Sequence, residues 1–155
     1  MNEPPQLLIG WREWIALPAL GLKAVRTKID TGAKSSALHV SEMQRFERDG
    51  ESWVRFGLKL KRRVATLHWC EARVTDEREV TDSGGHTTLR PFIQTKALLG
   101  TEQFLIEVNL TNRSQLLFPM LLGRTALAGR VLVDPSASFL LGGSARDRGD
   151  LFHRV

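Results

Sequence analysis

The chain has 155 residues, 42% of them hydrophobic and 25% charged, with a formal net charge of +5. That length predicts one domain with a real core, and the hydrophobic share is ordinary for a globular protein. No apolar run reaches the roughly 20 residues that a membrane-spanning helix needs, and the single cysteine, Cys70, has no partner for an internal disulfide. Met1 to Gln6 lack a basic region followed by an apolar core, so no signal peptide is expected, and a reducing cytoplasm is the expected location. The basic balance brings nucleic-acid affinity to mind. Lys and Arg are scattered, however, with clusters only at Lys59-Leu60-Lys61-Arg62-Arg63 and in the C-terminal tail. The first cluster reads as a solvated turn, and neither nucleic acid nor a membrane is expected as a partner.

In chain order, residues 1 to 6 read as a loose arm and Ile9 to Leu17 as a first strand that Pro18 ends. Leu20-Gly21-Leu22 turns the chain. Val25 to Ile29 runs extended into Asp30-Thr31-Gly32-Ala33, and Ala37 to Val40 resumes a strand. Asp49-Gly50 is a hairpin signal. From Ser52 to Leu60, the residues Val54, Phe56, Leu58 and Leu60 alternate with Arg55 and Lys59, the period of a half-buried strand. Val64 to Thr75 predicts another strand, holding His68, Trp69 and Cys70, and 75–80 is charged enough to reach solvent. Asp82-Ser83-Gly84-Gly85-His86 reads as a glycine-containing tip between extended segments.

Leu89 to Leu98 continues the strand pattern, with Pro91 pointing to an edge or a bulge. After a turn at Leu99-Gly100-Thr101, Phe104, Ile106, Val108 and Leu110 alternate again. Asn112-Arg113-Ser114 turns, Leu116 to Leu122 reads as a fully buried strand, and Thr125 to Ala128 as the one short helix. Val131 to Pro135 and Ser138 to Leu141 read as final strands. Residues 144–155 are polar and expected to fray. Many short strands at turn spacings predict a small all-β barrel or sandwich, one domain over 1–143 with a flexible tail.

Two stretches carry the chemistry. Asp30 supplies a carboxylate that could activate water, Thr31 a hydroxyl to brace the loop, and Gly32 a backbone without a Cβ. Some ninety residues later an apolar run, Phe118-Pro119-Met120-Leu121-Leu122, ends in Gly123-Arg124 and enters the short helix. Together the two resemble the retropepsin family, in which the second segment passes behind the catalytic loop and supports it. The resemblance is nearer to its RimB-like bacterial branch, whose members carry the label "ATP-dependent zinc protease". The matching pieces are Ile9-Gly10-Trp11-Arg12-Glu13-Trp14, Lys28 to Ala33, Ser36-Ala37-Leu38-His39, Gly84-Gly85-His86, Arg90-Pro91-Phe92-Ile93, Asn112-Arg113 and Leu121 to Leu127.

The resemblance implies a closed retropepsin-like β-barrel and an aspartic-type endopeptidase. Aspartic proteolysis needs two carboxylates about 3 Å apart that share one proton. The resemblance supplies the second as the Asp30 of another copy, so a homodimer and a peptide or protein substrate are expected. Thr31, Gly32, Ala33, Gly123 and Arg124 are expected to support the loop, with Arg124 bonding carbonyls behind it or an acidic group at the subunit contact. Ser35 and Ser36 are expected to satisfy loop backbone.

Asp82-Ser83-Gly84 also spells the aspartate-hydroxyl-glycine pattern. Charged residues precede it, no Gly-Arg brace follows it, and only some fifty residues separate it from Asp30, so residues 82 to 86 are read as a flap. Asp134 is read as a turn residue.

The family's label raises zinc, for which the donors are His39, His68, Cys70, His86 and His153, and ATP, for which no phosphate-binding Gly-x-x-x-x-Gly-Lys-Ser/Thr loop is present. Neither HExxH nor CxxC occurs, so no metal or other cofactor is expected. Similar proteins are encoded beside an ATP-grasp ligase that adds glutamates to a ribosomal protein, which suggests that ligase as a partner. The rival reading is therefore a non-proteolytic regulatory module on the same fold acting with a glutamate ligase.

Overall fold

The computed structural model describes residues 6–59, 66–112 and 118–142. Its strands are β1 (Leu7–Gly10), β2 (Arg12–Leu17), β3 (Leu22–Ile29), β4 (Ser36–His39), β5 (Glu42–Arg48), β6 (Glu51–Lys59) and β7 (Leu67–Arg73). They continue with β8 (Asp76–Thr81), β9 (Thr87–Leu99), β10 (Glu102–Thr111), β11 (Met120–Leu122) and β12 (Val131–Asp134), and a one-turn helix α1 spans Arg124–Leu127.

Six strands form a ring in the order β10-β4-β11-β3-β2-β9, which β9–β10 pairing closes, so the fold is an all-β closed barrel. Closure leaves those six strands no free edge. β8 extends the sheet beyond β9 as one arm of a hairpin. A parallel ribbon of β1 and β12, and an antiparallel sheet β5-β6-β7, lie outside the ring. Ile15, Leu17, Leu22, Val25, Leu38, Ile93, Leu99, Val108 and Leu122 fill the barrel, and the outer sheet adds Val54, Phe56, Leu58 and Cys70 to the same core.

Local chemistry explains most boundaries. The β5–β6 hairpin turns on Asp49-Gly50 with φ of 54° and 78°. Two consecutive left-handed residues make the type I′ turn that matches strand twist, which aspartate tolerates and glycine favours. Val54, Phe56 and Leu58 are buried while Arg55 and Lys59 are exposed, as the alternation predicts. Pro91 lies at the end of the β9–β10 ladder, whose last pair is Asn109–Phe92. The Phe92 carbonyl bonds Thr75 on the β8 side, so the neighbouring Pro91 nitrogen faces the other side, where the ladder has ended.

Three expectations need correction. Ile9 to Leu17 is two strands, because the chain bends at Trp11, whose amide bonds the Ala137 carbonyl. Ser138 to Leu141 is no strand: its amides bond Arg12 and Glu13 singly instead of entering a ladder. In the Leu116 to Leu122 run, only Met120–Leu122 is strand among the described residues, and Phe118 is half-buried. The expectations for 1–5, 60–65, 113–117 and 143–155 lie outside the described residues.

Candidate active site

The barrel places the Asp30 loop around one strand. β11 lies between β3, to which it runs parallel, and β4, to which it runs antiparallel. The chain thus leaves β3 at Ile29, forms the 30–35 loop across the end of β11, and returns as β4 on the other side. The Asp30 amide bonds the Leu122 carbonyl at 2.8 Å. The Gly123 amide donates to Ser36 Oγ at 3.0 Å, the Arg124 amide to the Ala33 carbonyl at 2.8 Å, and the Thr125 amide to the Lys34 carbonyl at 3.0 Å. Gly123 has to be glycine here: a Cβ would sit 2.6 Å from the Ser35 carbonyl oxygen and 2.9 Å from that of Ala33. The Arg124 guanidinium donates to the Thr31 carbonyl at 3.1 Å. These bonds fix the loop from beneath and leave its upper face open.

On that face Asp30 is half-buried, and Thr31 and Gly32 are exposed. Asp30 Oδ1 accepts the Gly32 amide at 3.0 Å, and the Ala33 amide closes the turn on the Asp30 carbonyl at 3.2 Å. This holds one carboxylate oxygen in place, while Oδ2 is not engaged among the described residues. Thr31 contributes its carbonyl to the brace.

Asp82-Ser83-Gly84 sits in different surroundings. Residues 82 to 86 are the exposed tip of the β8–β9 hairpin. Asp82 Oδ1 accepts the amides of Gly84 at 2.8 Å and His86 at 3.0 Å, and the Asp82 side chain is only 9% exposed. Its carboxylate is the organising atom group of its own turn. The hairpin's root is tied by Arg78, which bonds Asp76 and Glu107 at 2.6 Å each and lies over the Phe92 ring, and by Arg45, which bonds Glu77.

The remaining candidates have local roles. Asp134 Oδ1 accepts the Ser136 amide and hydroxyl, as a turn residue does, and these bonds hold its carboxyl below the usual range. His68 Nε2 and Cys70 Sγ both face the Leu20 carbonyl, at 2.9 and 3.4 Å, and burial pushes the Cys70 thiol up to about 11. His86 is at the exposed tip, with Nδ1 3.5 Å from Asp82 Oδ1. His153 is outside the described residues. Among those residues, no three His, Cys, Asp or Glu side chains converge as a metal site would require.

Two buried polar clusters support the loop from further out, and sequence reasoning missed both. Arg90, 6% exposed, donates to Asn109 Oδ1 at 3.0 Å, and Asn109 Nδ2 donates to the Ser36 carbonyl at 2.9 Å. Glu13, fully buried, accepts three backbone amides. Glu13 did leave a sequence signal: the period-two pattern places it on the same face as Ile15 and Leu17. Asn109 left none, because it falls between the apolar positions Val108 and Leu110.

No described helix is long and apolar enough to cross a membrane. Residues 8–142 match the family described as "Retropepsin-like aspartic endopeptidase RimB". A "Probable alpha-L-glutamate ligase" of Shewanella pealeana is 39% identical over 147 residues, 94% of this chain and 31% of that protein. One of the same name from Parasynechococcus marenigrum is 38% identical over 144 residues, 92% of this chain and 31% of its own length. The chain thus spans under a third of these relatives. A crystal structure of a Legionella pneumophila protein of unknown function superposes with a TM-score of 0.74 at 28% identity, covering 89% of this chain and all of that one. The loop threaded by β11, the Gly123-Arg124 brace and the match over 8–142 give one conclusion: the chain belongs to the RimB-like family of retropepsin-like aspartic endopeptidases.

Proposed function

We propose that this protein is an aspartic-type endopeptidase whose dyad forms from Asp30 of two copies meeting across a two-fold axis. The observation that carries the reading is the contrast in carboxylates. Asp30 is fixed through one oxygen on a loop braced from below, with its upper face open. Asp82 is committed to its own turn. Of the two aspartate-hydroxyl-glycine loops, that of Asp30 therefore offers the catalytic carboxylate, and an isologous contact supplies the second.

In the dimer, one Asp30 is ionised and takes a proton from the attacking water. The other is protonated and donates to the scissile carbonyl oxygen, giving a neutral tetrahedral diol. Proton transfer to the leaving nitrogen and C–N cleavage then yield a carboxyl and an amine. This chemistry calls for no cofactor. Gly32, Ala33, Gly123 and Arg124 keep the carboxylate on its loop. Thr31 is available to the subunit contact, and residues 82 to 86 close over the cleft as a flap.

The test is cleavage of a diverse peptide library by wild type and by folded Asp30→Asn. The expected result is a loss of at least about a hundredfold, equivalent to about 2.7 kcal/mol of barrier lowering. Equal cleavage by both would remove Asp30 from the chemistry.

A second reading is favoured by one observation: the relatives named as glutamate ligases extend well beyond this segment. In it, the chain is a regulatory module that binds a glutamate ligase. Sedimentation separates the two. A monomer at high concentration that shifts the ligase's activity supports the module, because one carboxylate makes no dyad.

A further inference from the structure

We propose that Glu13 is a positioning residue for the Asp30 loop, acting by fastening the 137–141 segment across the β1–β2 bend. This rests on the peptidase reading for its catalytic consequence, although its structural consequence can be measured without it.

Glu13 enters β2 on the core face and has no exposure to solvent. Its Oε2 accepts the Gly10 amide at 2.7 Å and the Leu140 amide at 2.9 Å, and its Oε1 accepts the Leu141 amide at 3.1 Å. A carboxylate takes all three because both oxygens accept. A glutamine has one acceptor oxygen and would turn its NH2 toward an amide that also donates. The site is therefore specific for a carboxylate, not merely for a side chain of that size.

The other contacts of the segment run alongside. The Ala137 carbonyl accepts the Trp11 amide at 2.8 Å, the Phe139 amide donates to the Arg12 carbonyl at 2.9 Å, and Phe139 stacks on Trp14. Gly10 lets the segment approach, since a Cβ there would lie 2.3 Å from the Ala137 oxygen. The bend so fixed reaches the loop directly: the Trp11 carbonyl accepts the Ile29 amide at 2.8 Å, and Asp30 is the next residue. Asp30 thus has two independent supports, β11 on one side and the Glu13-fastened bend on the other.

The experiment is Glu13→Gln in the full chain, read three ways: amide hydrogen exchange at Ile29, Asp30, Leu140 and Leu141, melting temperature, and the separate values of kcat and KM. The expected result is a folded protein with faster exchange at all four amides, kcat down at least tenfold, and KM within about twofold. Leu140→Pro, which removes one of the three donors and sets its ring carbon against Glu13 Oε2, loosens the same fastening and should reproduce the faster exchange at Ile29 and Asp30 should Glu13→Gln fail to fold. A lowered melting temperature with unchanged exchange at Ile29 and Asp30 and unchanged kcat would overturn the proposal. If wild type cleaves nothing, or Asp30→Asn cleaves as well as wild type, the peptidase reading falls, and the Ile29 and Asp30 exchange still decides the positioning claim.

Discussion

Asp30-Thr31-Gly32 and Asp82-Ser83-Gly84 fold alike at short range. Each aspartate turns Oδ1 back onto the amide two residues on, at 3.0 and 2.8 Å. The surroundings separate them. The Asp30 loop spans the end of a buried strand and receives amides from Gly123, Arg124 and Thr125. The Asp82 tip hangs from a two-stranded hairpin, and its Oδ1 is taken up by the Gly84 and His86 amides of the same turn. The tripeptide alone sets a turn, and the strand passing behind it makes the difference between a held carboxylate and a cap.

The sharpest way to break that comparison is to exchange each aspartate for asparagine. We expect Asp30→Asn to lose at least about a hundredfold in peptide cleavage, and Asp82→Asn to stay within a few-fold, since its carboxylate organises a surface turn. A loss at Asp82 equal to that at Asp30 would revive a dyad within one chain. Next in size is the brace. Gly123→Ala puts a Cβ into fixed backbone and should destabilise by about 1–3 kcal/mol in urea denaturation. Gly84→Ala meets only side-chain atoms of Asp82 and His86, at 3.2 Å, and should change stability by less than about 1 kcal/mol.

A third prediction concerns the hairpin's root. The hydrogen bond from Arg78, then that from the Glu77 amide, holds the Asp76 carboxyl below its ordinary range. A depressed folded value means the contribution is complete above the unfolded carboxylate range and is lost as pH falls through the lowered value. The melting-temperature gap between wild type and Asp76→Asn should therefore be widest near about pH 7 and narrow toward about pH 3. A gap that widens with acid would show the sign to be wrong. The smallest effect is Asp82→Ala, which removes the acceptor of the Gly84 and His86 amides in a surface turn. It should shift the melting temperature by no more than a few degrees, about 1 kcal/mol, while raising amide exchange at Gly84 and His86.

The sequence made the local pieces plain. Asp49-Gly50 sets its hairpin because two left-handed residues in a row admit few alternatives. Val54, Phe56 and Leu58 mark β6 because that strand has one wet face. The organising loop was legible because its two halves, Asp30-Thr31-Gly32 and Gly123-Arg124, each need particular residue types. What stayed hidden was long-range and polar. Ser138 to Leu141 has the apolar content of a strand, yet its amides are claimed by Arg12 and by a carboxylate more than a hundred residues earlier. Nothing within the segment announces a partner at that distance. The Trp11 bend is hidden for the same reason, since its cause is the Ala137 carbonyl.

Cys70 carries a practical consequence. It is the chain's only thiol, enclosed on the inner side of β7 against Leu20, and burial pushes it up to about 11. At neutral pH almost none of it is thiolate, the form that reacts with alkylating reagents. The native protein should therefore be silent to iodoacetamide, and labelling should occur only when the β5-β6-β7 sheet lifts from the barrel. One mass shift then times the opening of that sheet, in wild type, far along the chain from the Asp30 loop and with no residue substituted to carry the label.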